Sequence, residues 1–122
     1  MTGLVLRVSG WEILIADETA DPGPDRLCQL RGKVKAGARR AGAQVVAGDR
    51  VEWNPTEEGR GIIEAILPRR NNISRVASGP RTLQQMMIAN LDRFFIVMSA
   101  RQPALRTGFV DRALVMAASG GV

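Results

Sequence analysis

The chain is expected to be mainly β: a small five-stranded barrel over residues 1–75, then, over 76–122, a linker and the first βα unit of an incomplete α/β domain. Three observations carry this expectation. Five short segments with period-two apolar alternation are separated by Gly- and Pro-containing turns. The run "FFIVMSA" is apolar without alternation, as in a strand covered on both faces. In "RTGFVDRALVMAAS", Val110, Leu114 and Ala117 recur at helical spacing.

"LVLRV" and "WEILIA" alternate across Ser9-Gly10, a short glycine-containing connection suited to antiparallel strands. "DETADPGPD" is a loop, and "RLCQLRG" resumes the alternation, with Cys28 and Leu30 on the face opposite Leu27 and Gln29. The segment from Arg31 to Arg40 has no strand periodicity, and "GDRVEWNP" then opens a fourth strand with Val51 and Trp53 on one side. "TEEGRG" turns the chain into the fifth, "IIEAILP", which Pro68 ends because it has no N–H for the ladder. Five strands in about 70 residues suit a closed barrel of the OB type better than a sandwich of about seven strands.

Beyond Arg75, "SGPRTLQQMMIANLDR" reads as an irregular or partly helical crossing. The βα piece after it lacks the neighbours a doubly covered strand needs, which leads to the expectation of a truncated part of something larger. An alternative is a decorated barrel carrying the extra strand and helix on its side.

Composition narrows the function. With 122 residues, 45% hydrophobic and 24% charged, the chain suits one domain and part of another. It contains no apolar run of membrane-spanning length and opens without a signal-peptide pattern, so a cytoplasmic monomer with no membrane partner is expected. The single cysteine, Cys28, has no histidine or second cysteine with which to bind zinc and is expected in the core. No imidazole base exists, because His is absent. Asp17, Glu18, Asp21 and Asp25 lack the spacing of a calcium loop, and Glu57 and Glu58 are adjacent residues of a turn, so no catalytic or metal-ligating residue is assigned.

The net charge of +5 is concentrated. Arg31, Lys33, Lys35, Arg39 and Arg40 precede any acid, and Arg69, Arg70, Arg75 and Arg81 form a second block without one. A basic loop between the third and fourth strands of an OB-type barrel lies beside its oligonucleotide-binding face. Arg31, Lys33, Lys35, Arg39, Arg40, Arg69 and Arg70 are therefore the candidate RNA-binding residues, acting on phosphates. A solvated basic loop without a ligand is the competing reading. Aromatics are 4% of the chain, and Trp11 and Trp53, the only candidate stacking platforms among the five strands, are both expected in the core. Readout of backbone charge and RNA shape is thus expected over base recognition.

The stretches "CQLRGKVK", "VVAGDRVEW", "GRGIIEAILPRRNNISR", "QQMMIANLDRFFIVMSA" and "FVDRALVMAASGG" together resemble the N-terminal part of the ribosome small-subunit-dependent GTPase A (RsgA) family. The resemblance implies an OB-fold RNA-binding domain, a circularly permuted GTPase domain and a C-terminal zinc-binding domain. It further implies late maturation of the small ribosomal subunit, with that subunit and its 16S rRNA as partners. GTP, Mg and Zn are implied for the full-length family, and none of them for this chain. No G-x-x-x-x-G-K-[ST] spacing occurs: before Gly32-Lys33, Leu27 stands where the first glycine belongs, and Val34 follows where the hydroxyl belongs. Asn90-Leu91-Asp92 lacks the lysine of a guanine-reading Asn-Lys-x-Asp and is expected as a turn and the start of a strand. The family is a GTP hydrolase, but this chain alone is expected to be inactive. The alternatives are a self-contained OB-fold RNA binder and a non-nucleic-acid adaptor.

Overall fold

The computed structural model describes residues 1–19, 23–34, 44–76 and 84–122. Their elements are β1 (Thr2–Ser9), β2 (Glu12–Asp17), β3 (Asp25–Leu30), β4 (Arg50–Pro55), β5 (Gly61–Ile66), β6 (Asn72–Val76), β7 (Gln84–Ala89) and α1 (Thr107–Ser119). The first five strands form the expected closed barrel, in the order β1-β2-β3-β5-β4 with β4 returning to β1. All neighbours are antiparallel except β3 and β5, which run parallel from Cys28–Gly61 to Leu30–Ile63. A parallel pair requires a crossover, and the chain between them, which includes β4, supplies it.

Alternation decides what the barrel encloses. Val5, Ile13, Ile15, Cys28, Val51, Trp53 and Ile63 point inward and form one buried cluster with Val45. Trp53 is its largest member, and its indole Nε1 donates to the Thr2 carbonyl at 3.2 Å, so the one polar atom of the ring is satisfied. The ring fits because β5 begins with glycine. A Cβ at Gly61 would stand 2.5 Å from Cys28 Sγ and 2.7 Å from Trp53 Cε3.

Outside the barrel, β6 and β7 pair as an antiparallel hairpin that spans residue 76. The expected irregular or partly helical crossing is corrected for Gln84–Ala89. Gln, Met and Ala favour helices intrinsically, but the ladder from Asn72–Ala89 to Val76–Gln84 overrides that weak preference. Helix α1 packs on β6, and the Asn72 amide donates to the Gly120 carbonyl at 3.0 Å. The helical spacing is present but its buried face is Ala113 and Ala117, whereas Leu114 is exposed. Small side chains allow the close approach.

The run 94–100 has no strand assignment, contrary to the expected doubly covered strand; Phe95 is 76% and Val97 88% exposed. A central strand exists only where neighbours satisfy its backbone groups, and no strand among the described residues pairs with this run. No helix of the described residues is long and apolar enough to cross a membrane.

Candidate nucleic-acid interface

The candidate cations are placed in three different situations. Arg31 and Lys33 lie just after β3 and are exposed. The Arg31 amide donates to the Ile63 carbonyl at 3.0 Å, which fixes the start of the basic connection against β5, while its guanidinium pairs with Glu64 on the barrel exterior. Such a solvent-exposed pair contributes at most about 1 kcal/mol, so it competes weakly with a phosphate. Residues 32–34 are helical. Lys35, Arg39 and Arg40 lie outside the described residues.

Arg69, an expected phosphate contact, is engaged within the protein. Its Nε donates to Asp49 Oδ1 at 2.6 Å and its Nη2 to Oδ2 at 2.8 Å, and Nη2 also reaches the Gln44 carbonyl at 2.8 Å. The Asp49 side chain is wholly buried and that of Arg69 only 16% exposed. The hydrogen bonds to Asp49 raise the already high pKa of the guanidinium, against the opposing effect of burial. Bidentate geometry and burial make this pair costly to break. Arg70 is intermediate. Its side chain is 61% exposed, but Nη2 donates to Asp92 Oδ1 at 2.7 Å and to the Leu91 carbonyl at 3.0 Å. The sequence block around Arg69 looked free of acids because both partners, Asp49 and Asp92, are about twenty residues away along the chain.

These contacts form a joint between barrel and hairpin. Asp49 accepts from the Val46 amide at 2.9 Å, and the Val5 amide donates to the Asp49 carbonyl at 2.8 Å, which anchors the residue to β1. The Ala89 amide donates to the Ala47 carbonyl at 3.0 Å, and Asn90 Nδ2 to the Gly48 carbonyl at 2.8 Å. Gly48 has φ +86°, and a Cβ there would lie 2.0 Å from the Ala89 oxygen, so the close approach of the two backbones requires glycine. Asn90 adopts φ 55°, a left-handed conformation that asparagine tolerates, as befits the turn expected there. Its Oδ1 accepts from the Arg70 amide at 2.7 Å. Asn71 clasps Leu91 in both directions, at 2.7 and 2.8 Å. "GDR", "RRNN" and "ANLD" are thus three sides of one hydrogen-bonded joint.

Cys28 is buried in the barrel, as expected, and loss of hydration pushes its thiol up to about 11. Asp17 is held below the usual carboxylate range mainly by the Thr19 hydroxyl, then by the Thr19 amide. Trp11 departs from expectation: it is 63% exposed at the β1–β2 turn, whereas Trp53 is 1% exposed. Period-two alternation assigns faces within strands but says nothing about a residue on the turn between them.

Residues 66–122 match the family model for RsgA GTPase. Curated relatives named small ribosomal subunit biogenesis GTPase RsgA are similar over most of the chain. The protein of Thermotoga petrophila is 32% identical over 94% of this chain and 34% of its own length. That of Porphyromonas gingivalis is 33% identical over 96% of this chain and 37% of its own length. The chain is thus similar to RsgA proteins over nearly all of its length. It corresponds to the N-terminal portion of RsgA proteins and spans about a third of the length of the curated relatives it matches. Among solved structures, YjeQ from Thermotoga maritima matches with TM-score 0.68 and 30% identity, over 98% of this chain and 37% of that one. YloQ, described as a circularly permuted GTPase, matches with TM-score 0.62 and 25% identity, over 93% of this chain and 35% of that one. The RsgA family is a GTPase family associated by name with the small ribosomal subunit.

Proposed function

We propose that this chain is the RNA-binding front of a GTPase that assists late maturation of the small ribosomal subunit in the cytoplasm, with 16S rRNA as its ligand. The observation that carries the reading is the closed β1-β2-β3-β5-β4 barrel in a chain similar to RsgA proteins, with a cation-rich connection between β3 and β4. Barrels of the OB type bind oligonucleotides through the β2–β3 face and adjoining loops. On this reading residues 1–75 are the RNA-binding unit and 76–122 begin the GTPase part. Arg31, Lys33, Lys35, Arg39 and Arg40 contact phosphates, Arg70 contributes at the margin, and Arg69 holds the joint. The 122 residues contain no phosphate-loop spacing, so on this reading the chain by itself does not turn over GTP; GTP, Mg and Zn are ligands of full-length RsgA proteins, and the chain acts as a monomer.

Binding of small subunits and of isolated 16S rRNA by the purified chain, measured at two salt concentrations, tests this. Each neutralised phosphate adds about 0.7 to 0.9 to the slope of log affinity against log salt. Replacing Lys33, Lys35, Arg39 and Arg40 together by Ala is expected to lower affinity across RNA sequences and flatten that slope. Unchanged affinity and slope would overturn the assignment, and GTP turnover by the chain alone would overturn the placement of the nucleotide chemistry.

A further inference from the structure

We propose that Glu64 is a built-in stand-in for RNA phosphate: it occupies the Arg31 guanidinium in the free chain and is displaced when RNA binds, so that it sets the affinity of the basic connection. The proposal rests on the reading of Arg31 as a phosphate contact and adds the residue that regulates that contact.

Arg31, Arg69 and Arg70 are all neutralised from within the protein, in three different ways. Arg69 is locked, because its partner Asp49 is wholly buried and accepts through both oxygens. Arg70 is tied by more than charge, since its Nη2 also donates to the Leu91 carbonyl at 3.0 Å. Arg31 differs from both. Among the described residues its guanidinium has one acceptor, a single carboxylate oxygen of Glu64, and its side chain is 61% exposed. A phosphate can take the place of that carboxylate without breaking a backbone contact, and it offers the guanidinium a two-bonded geometry in exchange for one bond.

The contact contributes little to the fold. Strand β5 is already joined to β3 by the ladder from Cys28–Gly61 to Leu30–Ile63, which the Arg31 amide extends by donating to the Ile63 carbonyl at 3.0 Å. Ile63 points into the barrel, so the next residue, Glu64, stands on its outer face, where that backbone bond delivers the Arg31 side chain. The Glu64 side chain is only 23% exposed and lines a cleft with Glu52, Asn54, Met1 and Thr2. The carboxylate is therefore the seated partner, and the guanidinium is the one that can leave. A lone phosphate gains from Arg31 about as much as it takes from Glu64. A continuous RNA backbone brings further phosphates to Lys33 and the cations that follow it in sequence, and these linked contacts outweigh the exchange. Glu64 thereby restrains a chain of net charge +5 from binding isolated anions.

The test measures binding of the purified chain to 16S rRNA at several salt concentrations. Glu64→Gln keeps the shape of the side chain and removes its charge, and is expected to bind about threefold more tightly at low salt. The gain should shrink as salt screens the pair in wild type. Loss of any negative charge favours RNA, so Glu52→Gln, in the same cleft, supplies the baseline and should gain less. In an Arg31→Ala background, Glu64→Gln should gain no more than this baseline, which is the coupling that displacement of a partner requires. Equal gains for Glu64→Gln and Glu52→Gln, a loss of affinity in Glu64→Gln, or a full gain that persists in Arg31→Ala overturns the proposal and leaves RNA binding by the barrel standing. Failure of wild type and Glu64→Gln alike to bind 16S rRNA at low salt overturns both.

Discussion

Ile15, Val51 and Ile63 in the barrel are wholly buried, whereas Phe95 and Val97, in a run at least as apolar, are largely exposed. The two regions differ in where their partners lie. Every barrel strand finds both neighbours within residues 2–66, and the sheet closes on itself, leaving no edge. The run 94–100 finds no strand beside it among the described residues, and α1 buries only Ala113 and Ala117, with Phe109, Leu114 and Val115 exposed. Apolar content therefore identifies a segment that requires cover. Closure of the ladder determines whether it has cover.

The largest expected contrast comes from truncating the core. Trp53→Ala removes the main filling of the barrel and is expected to cost about 3–5 kcal/mol in urea denaturation, enough to unfold most of the population. A smaller but more selective effect is expected at the joint. Asp49→Ala leaves the largely buried Arg69 guanidinium without its carboxylate, with the Gln44 carbonyl still accepting from it, at about 3 kcal/mol, and should speed amide exchange at Ala89 and Asn90 more than in β2. Uniform acceleration over the whole chain would show that the hairpin is not docked as a separate layer.

Next in size is a dependence on pH. The Cys28 thiol is raised from its ordinary value of 9.0 to about 11, because burial disfavours the thiolate. Below 9 its contribution is present in full; as pH rises through about 11 it is lost, because the unfolded chain releases the proton first. Stability should fall over that window in wild type and less in Cys28→Ala, and alkylation of Cys28 at neutral pH should require unfolding. Rapid alkylation of the folded chain would contradict a closed barrel. The smallest effect is expected outside. Phe95→Ser and Val97→Ser should each change stability by less than about 0.5 kcal/mol, since neither side chain loses a packed environment.

Legibility followed the same division. Strand positions in the barrel could be read from period-two alternation and from the Gly and Pro of the turns, because a two-sided strand in a small barrel has one wet and one dry face. "QQMMIA" could not be read as β7, since its unbranched residues favour helix and only β6 makes it a strand. Among the site residues, exposure of Arg31 and Lys33 agreed with the charge pattern. Arg69 did not, because its acid partner arrives from a loop twenty residues earlier. Trp11 was missed for a local reason: a tryptophan between two apolar strands looks like core until the pairing of Ser9 with Glu12 puts it on the turn.

By itself the sequence determined the five barrel strands, their inward faces, the excess of positive charge after β3 and the relationship to RsgA proteins. Those properties depend on neighbours along the chain, which alternation and composition record. Only the tertiary structure decided that Asp49 neutralises Arg69, that β7 is a strand, that Gly48 must admit the Ala89 backbone and that Trp11 is exposed at the β1–β2 turn. Each of these depends on residues distant in sequence meeting at a few ångströms, and a single sequence records no such distances.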